Sequence, residues 1–377
     1  MKSKWPQKYV IGLTGNIATG KSVVRKMLEH LGAYGIDADA LSHRAIAKGA
    51  PGYQPTIDAF GKWLIKPDGE IDRAKLGRMV FNDPDAMFRL EEIIHPLVSQ
   101  AIDIMVRRSG QRTIVIEAIK LLESDLRNSC NSIWVVNVPQ DLQVQRLMEK
   151  RGLSREEAMT RITFQSGQQQ KISAAQVVIQ NTGSYEETWK NVVNAWKKTA
   201  QVSDTTQVVV RPIQGEFVVA RGRPRDSATI ADLVTRLSAG AHPMSQNDVM
   251  AAFGEKAFML LQIGAKNVGI AGWQVENLVA RTTEFYIDPA VETERALKTL
   301  LSEVERASLD LQCEASILFL PKSLAALQST WKQLGYEQRD AHILGVQAWT
   351  DAALESSHPN TLLFFKQLRQ DRVLRPI

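Results

Sequence analysis

Cysteine is nearly absent from this chain. Cys130 and Cys313 are the two that occur in 377 residues, and they lie far apart. That excludes a disulfide framework and a cysteine zinc site, and it points to a reducing, cytoplasmic setting. Long apolar runs are missing too. No stretch approaches the roughly 18 uninterrupted apolar residues that span a bilayer, so no membrane partner is expected. The opening MKSKWPQKYVIGLTG has neither the apolar core nor the small-residue cleavage site of a signal peptide. No block of five like charges occurs, so a nucleic-acid tail is not expected and no nucleic-acid partner is assigned.

What remains is an ordinary globular composition, 44% hydrophobic and 23% charged, with a formal net charge of +5. The charge is uneven. Residues 1–200 hold 28 Lys and Arg against 21 Asp and Glu, while the rest holds 18 against 20. A modest basic excess suits a small polyanionic substrate. The length suggests two or three domains. The first two hundred residues alternate strand and helix patterns. Tyr9–Thr14, 33–37, Thr113–Glu117 (TIVIE), 132–138 and 176–179 read as strands, and 21–31 and 40–48 as helices. The helix opened by Asp83-Pro84 is expected to break or bend near His95-Pro96. Ser154–Glu157 and Ser184–Glu187 read as capping boxes. This alternation implies a parallel sheet covered by helices.

Residues 201–214 read as a polar linker between a first unit, 1–200, and a second, 215–350. From a strand expected at 207–211, inside that boundary stretch, onward the chain mixes strands (217–220, 258–263, 267–271, 283–287) with helices (Ser227–Leu237, 293–309), an α+β pattern. Residues 351–377 read as a tail with one helix near 361–372.

The strongest motif is Gly15-Asn16-Ile17-Ala18-Thr19-Gly20-Lys21-Ser22, which fits G-x-x-x-x-G-K-[ST] between a strand and a helix. Its backbone N–H groups and the helix N-terminus suit a phosphate cradle. Lys21 is expected at the β- and γ-phosphates and Ser22 on Mg²⁺. A second feature follows in Ile36-Asp37-Ala38-Asp39. An Asp at the carboxyl end of a strand beside the phosphate loop faces the ligand crevice, where it can take the proton of an attacking hydroxyl. Either Asp taken alone also suits a helix N-cap.

Taken with DGEIDR at 68–73, Leu76, Phe81, His95-Pro96, Gln143, Arg146, Leu147, Arg151, Arg161, Gln165, Ile179, Asn181 and Gly183, these pieces resemble the dephospho-coenzyme A kinase family over roughly residues 9–197. The resemblance implies a P-loop NTPase fold, a three-layer parallel sheet with a helical lid. It implies transfer of the ATP γ-phosphoryl to the ribose 3′-hydroxyl of dephospho-CoA, giving coenzyme A, with ATP and Mg²⁺ required. It places Asp39 as the catalytic aspartate with Asp37 as its partner, and Arg146 and Arg151 on the lid over the ATP phosphates. Residues 15–22 with Val23 would hold ATP, and Asn181 would pass its adenine. Glu117, at the end of the third strand, is placed to hold a water on Mg²⁺. Two departures stand out. Asn16 and Ala18 replace glycines of the family's loop, and where the family has an acidic residue and then Pro-Leu-Leu-Phe-Glu this chain has Glu117-Ala118-Ile119-Lys120-Leu121-Leu122-Glu123, which keeps the carboxylate at Glu117, loses the proline and gains a lysine. Lys120 reads either as a solvated first-turn residue or as a contact to the acceptor diphosphate. His95 reads as structural, touching the acceptor.

The second unit resembles the GNAT acyltransferase fold in its order of strands and helices, with Val268-Gly269, Gly272-Trp273 and Leu334-Gly335-Tyr336. Its Asp288–Lys298 stretch contains no glycine, and Glu292 and Glu294 would repel a pyrophosphate. A GNAT-like scaffold without acyl transfer is the reading. Two other functions stay open: another P-loop small-molecule kinase for a nucleoside or nucleotide, and a non-catalytic CoA- or nucleotide-sensing module.

Overall fold

The computed structural model describes residues 4–165, 167–199, 216–357 and 361–370; the expected linker 201–214 and the expected strand 207–211 lie outside them. Short runs form the first sheet, and its three inner strands are nearly all apolar because strands buried on both faces need no alternation. The strands are β1 (Tyr9–Thr14), β2 (Tyr34–Asp37), β3 (Thr113–Glu117), β4 (Ser132–Asn137) and β5 (Val177–Gln180). All pair in parallel, in the order β2-β3-β1-β4-β5.

Helices cover both faces. On one, α1 (Lys21–His30) and α10 (Tyr185–Thr199) pack Met27, Leu28 and Val192 against Ile11, Leu13, Trp134 and Val136. On the other, α2 (Ala38–Ala45) and α5 (Pro84–Arg108) bury Leu41, Ala101, Ile102 and Met105 against Val10, Ile114 and Ile116. Between β2 and β3 lie α3 (Tyr53–Phe60) and α4 (Arg73–Asn82), and α6 (Leu126–Ser129) precedes β4. The helices α7 (Gln140–Arg151), α8 (Arg155–Thr163) and α9 (Gln168–Ala174) join β4 to β5.

Of the break or bend expected near His95-Pro96, the break is corrected: α5 runs unbroken through Pro96. Proline inside a helix removes one backbone hydrogen bond, at about 3 kcal/mol. The apolar face from Val98 to Val106, buried on the sheet, outweighs that loss.

The second sheet has the order β11-β12-β10-β9-β8-β7-β6. Its strands are β6 (Phe217–Arg221), β7 (Ala257–Ile263), β8 (Lys266–Glu276), β9 (Val279–Ile287), β10 (Ala315–Pro321), β11 (Glu337–Gln338) and β12 (Thr361–Gln367). β9 and β10 pair in parallel, and the other neighbours are antiparallel. Alternation along β7 sends Met259 and Leu261 towards α13 (Thr293–Asp310), and Phe258 and Leu260 towards α11 (Ser227–Leu237) and α12 (Gln246–Ala252). Two short helices, α14 (Lys322–Ala325) and α15 (Gln328–Gln333), follow β10, and α16 (Gln347–Glu355) precedes β12. The helix expected near 361–372 is corrected. Thr361–Gln367 is a strand inside the sheet, paired with β10 along its whole length, so the second unit extends beyond 350.

The units meet in several places, among them His30 against Phe253 and the β8–β9 turn, which enters the first core. Leu278 packs beside Tyr34, Ile36, Leu41 and Met105. Close by, Arg44 of α2 donates to both carboxylate oxygens of Glu314 at 2.9 Å and to the Asn277 carbonyl at 2.8 Å.

Candidate active site

The loop between β1 and α1 turns through Gly15 (φ 148°), Ala18 (φ 61°) and Gly20 (φ 89°). At Gly20 a Cβ would sit 2.1 Å from the Asn181 amide nitrogen, so the side chain of Asn181 can close over the loop. That amide donates to the Thr19 carbonyl at 2.8 Å, and its oxygen accepts from the Thr188 hydroxyl. Ala18 stands in left-handed backbone where the family's loop has glycine, a local cost of about 1–2 kcal/mol.

Lys21 is buried beneath the loop, and its ammonium donates to the Asn16 carbonyl at 3.3 Å. Burial lowers its pKa, against the pull of Glu117, Asp39 and Asp37. The Asn16 and Ile17 N–H groups donate to Gln168 and Gln165 side chains. Val23, the next residue along α1 after Ser22, lines the cleft with Ile17, Ala18 and Gly20. Arg146 of α7 lies across the loop, donating to the Ala18 and Asn181 carbonyls. Arg151, at the end of α7, faces the same cleft.

Across the cleft the two aspartates separate. Asp37 is the N-cap of α2, accepting from the Ala40 N–H at 2.8 Å. Asp39, in the first turn, accepts from the Ile119 N–H at 3.1 Å. Burial first, and the Asp37 charge second, raise its pKa to about 6. Glu117, at the end of β3, accepts from the Ser22 hydroxyl at 2.9 Å and from the Arg25 Nε at 2.8 Å. Among the described residues no group of three or more His, Cys, Asp or Glu side chains is set to hold a metal ion. The candidate metal ligands are the two oxygens of Ser22 and Glu117.

These groups share one cleft of about 940 Å³. Lys21, Arg73, Arg146, Lys150 and Arg151 make part of its wall basic, Asp37 and Glu117 face it from the strand ends, and Asp39 faces it from the first turn of α2. The second unit supplies the rest, with Gly254 and Glu255 after α12, Glu276 and Asn277 at the β8–β9 turn, and Gln347 and Asp351 of α16.

Two expected acceptor residues are corrected. Lys120 is exposed and paired with Glu91 at 3.0 Å, outside the cleft, and no helix opens at it. His95 is exposed on α5, also outside the cleft. Sequence reasoning missed a buried cation nearby. Lys171 of α9 donates to the Ile119 carbonyl at 2.9 Å, and no local pattern marks it. It also missed the ion pairs of Arg25, Lys26 and Glu29 on α1, although their i,i+3 and i,i+4 spacing is legible.

A parallel α/β sheet with a phosphate loop at its strand ends and a lid crossing that loop defines a P-loop nucleotide-binding protein of the kinase type. The family model of dephospho-CoA kinase matches residues 9–187. The dephospho-CoA kinase of Carboxydothermus hydrogenoformans is 41% identical over 192 residues, covering 50% of this chain and 93% of that enzyme. That of Geobacter metallireducens is 43% identical over 192 residues, covering 50% of this chain and 96% of its own. Through its first half, the chain belongs to the dephospho-CoA kinase family. An acetyltransferase of the GNAT family from Staphylococcus aureus is 11% identical, covers 41% of this chain and all of its own, with a TM-score of 0.34. Among the described residues no helix is long and apolar enough to cross a membrane.

Proposed function

We propose that the chain transfers the γ-phosphoryl of ATP to the ribose 3′-hydroxyl of dephospho-CoA, giving coenzyme A and ADP. The observation that carries the reading is the half-buried Asp39 carboxylate, held by the Ile119 N–H in the same cleft as Lys21 and the phosphate loop. As the hydroxyl oxygen bonds to the γ-phosphorus, the bond from that phosphorus to the β–γ bridging oxygen breaks, and Asp39 takes the hydroxyl proton. Lys21 and the loop N–H groups hold the β- and γ-phosphates. Arg146 and Arg151 offset the charge that spreads over the phosphoryl oxygens. Gln165 and Gln168, which hold the Asn16 and Ile17 N–H groups, must yield them to phosphate.

Ser22 and Glu117 offer hard oxygens 2.9 Å apart, the kind of donor set Mg²⁺ takes when water and phosphates complete its shell. Bound there, Mg²⁺ would neutralise charge on the β- and γ-phosphates. For the second unit, we infer a scaffold without acyl transfer, because Glu292 stands at the N-cap position of α13 and Glu294 lies in its first turn, where a pyrophosphate would need N–H groups free of negative charge.

The test is direct. Purified protein with ATP, Mg²⁺ and dephospho-CoA is expected to yield a product heavier by one phosphoryl group, and the Lys21→Ala variant to yield none while keeping its fold. Absence of that product with the wild type rejects the reading.

A further inference from the structure

The second unit reaches the kinase centre through a continuous line of charged hydrogen bonds. The Lys26 ammonium on α1 donates to the Val275 carbonyl at 2.9 Å and to Glu29 at 3.0 Å. Glu29 accepts from Arg25 at 2.6 Å, and Arg25 donates to Glu117 at 2.8 Å. Glu117 closes the line on the Ser22 hydroxyl. These side chains are little exposed, 14% for Lys26, 10% for Arg25 and Glu29, and 5% for Glu117. Links buried this deeply are strong and fix one another's geometry.

The end at Val275 is itself rigid. It lies at the tip of the β8–β9 hairpin, whose turn residues Asn277 (φ 50°) and Leu278 (φ 61°) are both left-handed. Asparagine tolerates that backbone, but leucine rarely adopts it. Such a conformation persists only where the surroundings over-determine it. Here the Leu278 side chain is buried in the first unit's core and Arg44 holds the Asn277 carbonyl.

We propose that the hairpin tip Val275–Leu278 positions the Ser22–Glu117 pair, acting through Lys26, Glu29 and Arg25, so that the second unit sets how the nucleotide's metal is held. Lys26 and Leu278 are thus positioning residues, since neither touches substrate. This rests on the kinase reading above.

The experiment uses the full chain and two readouts. Calorimetry gives the affinity for ADP with Mg²⁺ and with EDTA. Kinetics give the Mg²⁺ requirement and the KM for dephospho-CoA. Loss of an outer partner of a metal ligand costs roughly 10–100-fold in metal affinity. Lys26→Met keeps the apolar stem and, two side chains removed from Glu117, is expected to cut the preference for Mg·ADP over metal-free ADP by up to about tenfold, the low end of that range, with the KM for dephospho-CoA unchanged. Leu278→Ala, from the other unit, is expected to do the same, and Lys26→Arg to restore the preference. If Lys26→Met and Leu278→Ala lower the melting temperature but leave the Mg·ADP preference at the wild-type value, the proposal is overturned. A wild type that binds Mg·ADP yet makes no coenzyme A defeats the kinase reading instead, and the calorimetric comparison still decides this one.

Discussion

Asp37 and Asp39 sit two residues apart on one turn, and hydrogen bonding divides their work. Asp37 spends an oxygen on the helix N-cap, whereas Asp39 turns towards the Ile119 N–H and the cleft. Asp39→Asn is expected to lower kcat by about 10²–10⁴-fold with little change in the KM for ATP, because an amide cannot accept the hydroxyl proton. The pKa near 6 adds a pH signature. Wild-type activity should fall as pH drops through about 6, as Asp39 takes up a proton. Stability runs the other way. A carboxyl whose pKa rises on folding from 3.8 to about 6 contributes stability in full below 3.8 and loses it as pH climbs through 6. Asp39→Asn should therefore melt above wild type at pH 8, by on the order of 1 kcal/mol, and match it at pH 3.5. Parallel melting curves across that range would show that the Asp39 carboxyl is not raised by folding. Lys120 gives the opposite kind of test. It is solvated and paired with Glu91, so Lys120→Ala should leave the KM for dephospho-CoA within about twofold of wild type, as exposed ion pairs contribute little. A tenfold rise would return it to the acceptor.

At the scale of elements, the close crossing of α1 over β2 is what lets the charge line form. Gly35 lies under it, and a Cβ there would stand 2.0 Å from the Glu29 carboxylate and 3.0 Å from the Arg25 stem. Gly35→Ala is expected to displace Glu29 from Arg25 and to cost about 1–3 kcal/mol in urea unfolding. Gly110→Ala, where a Cβ meets nothing within 4 Å, is the control and should be near neutral. Much at this scale was legible in the sequence. TIVIE is a strand residue for residue, the capping box at Ser154–Glu157 forms with both hydrogen bonds, and Ser227–Leu237 is a helix with the expected ends. These are local signals with a single structural solution. The misreadings are non-local. TLLFFKQ reads equally as a buried strand or a short buried helix, and its partner β10 decides for the strand. Pro96 carries a genuine breaking signal, which the apolar face of α5 overrides. The site divides in the same way. The loop Gly15–Ser22 and the aspartates are contiguous motifs, while Lys171, Glu314 and the Val275 carbonyl come from far along the chain with no pattern to announce them.

For the whole molecule, the question is whether the first unit stands alone. The resemblance ends near 197, and the relatives align almost entirely within it, so a chain cut near Thr199 is expected to fold. The sequence alone suggests it keeps its activity as well. The interface argues for a different outcome. Cutting there removes Leu278 from the core around Tyr34 and Leu41, and it takes Glu314 and the Asn277 carbonyl from Arg44 and the Val275 carbonyl from Lys26. Burying a leucine contributes about 1.5–3 kcal/mol. A buried arginine stripped of its carboxylate is costlier still, unless water reaches it. The truncated chain is expected to melt several degrees below the full chain's first transition, on the order of 2–4 kcal/mol less stable. Its dephospho-CoA KM should change little, since Asp37, Asp39 and their N–H partners all lie within 1–199. Its Mg²⁺ requirement should rise, since the line to Ser22 and Glu117 has lost its anchor. Differential scanning calorimetry with a Mg²⁺ titration measures both. A truncated chain as stable and as metal-sensitive as the full one would show that the contacts between the units add nothing to the first unit's stability or to its metal site.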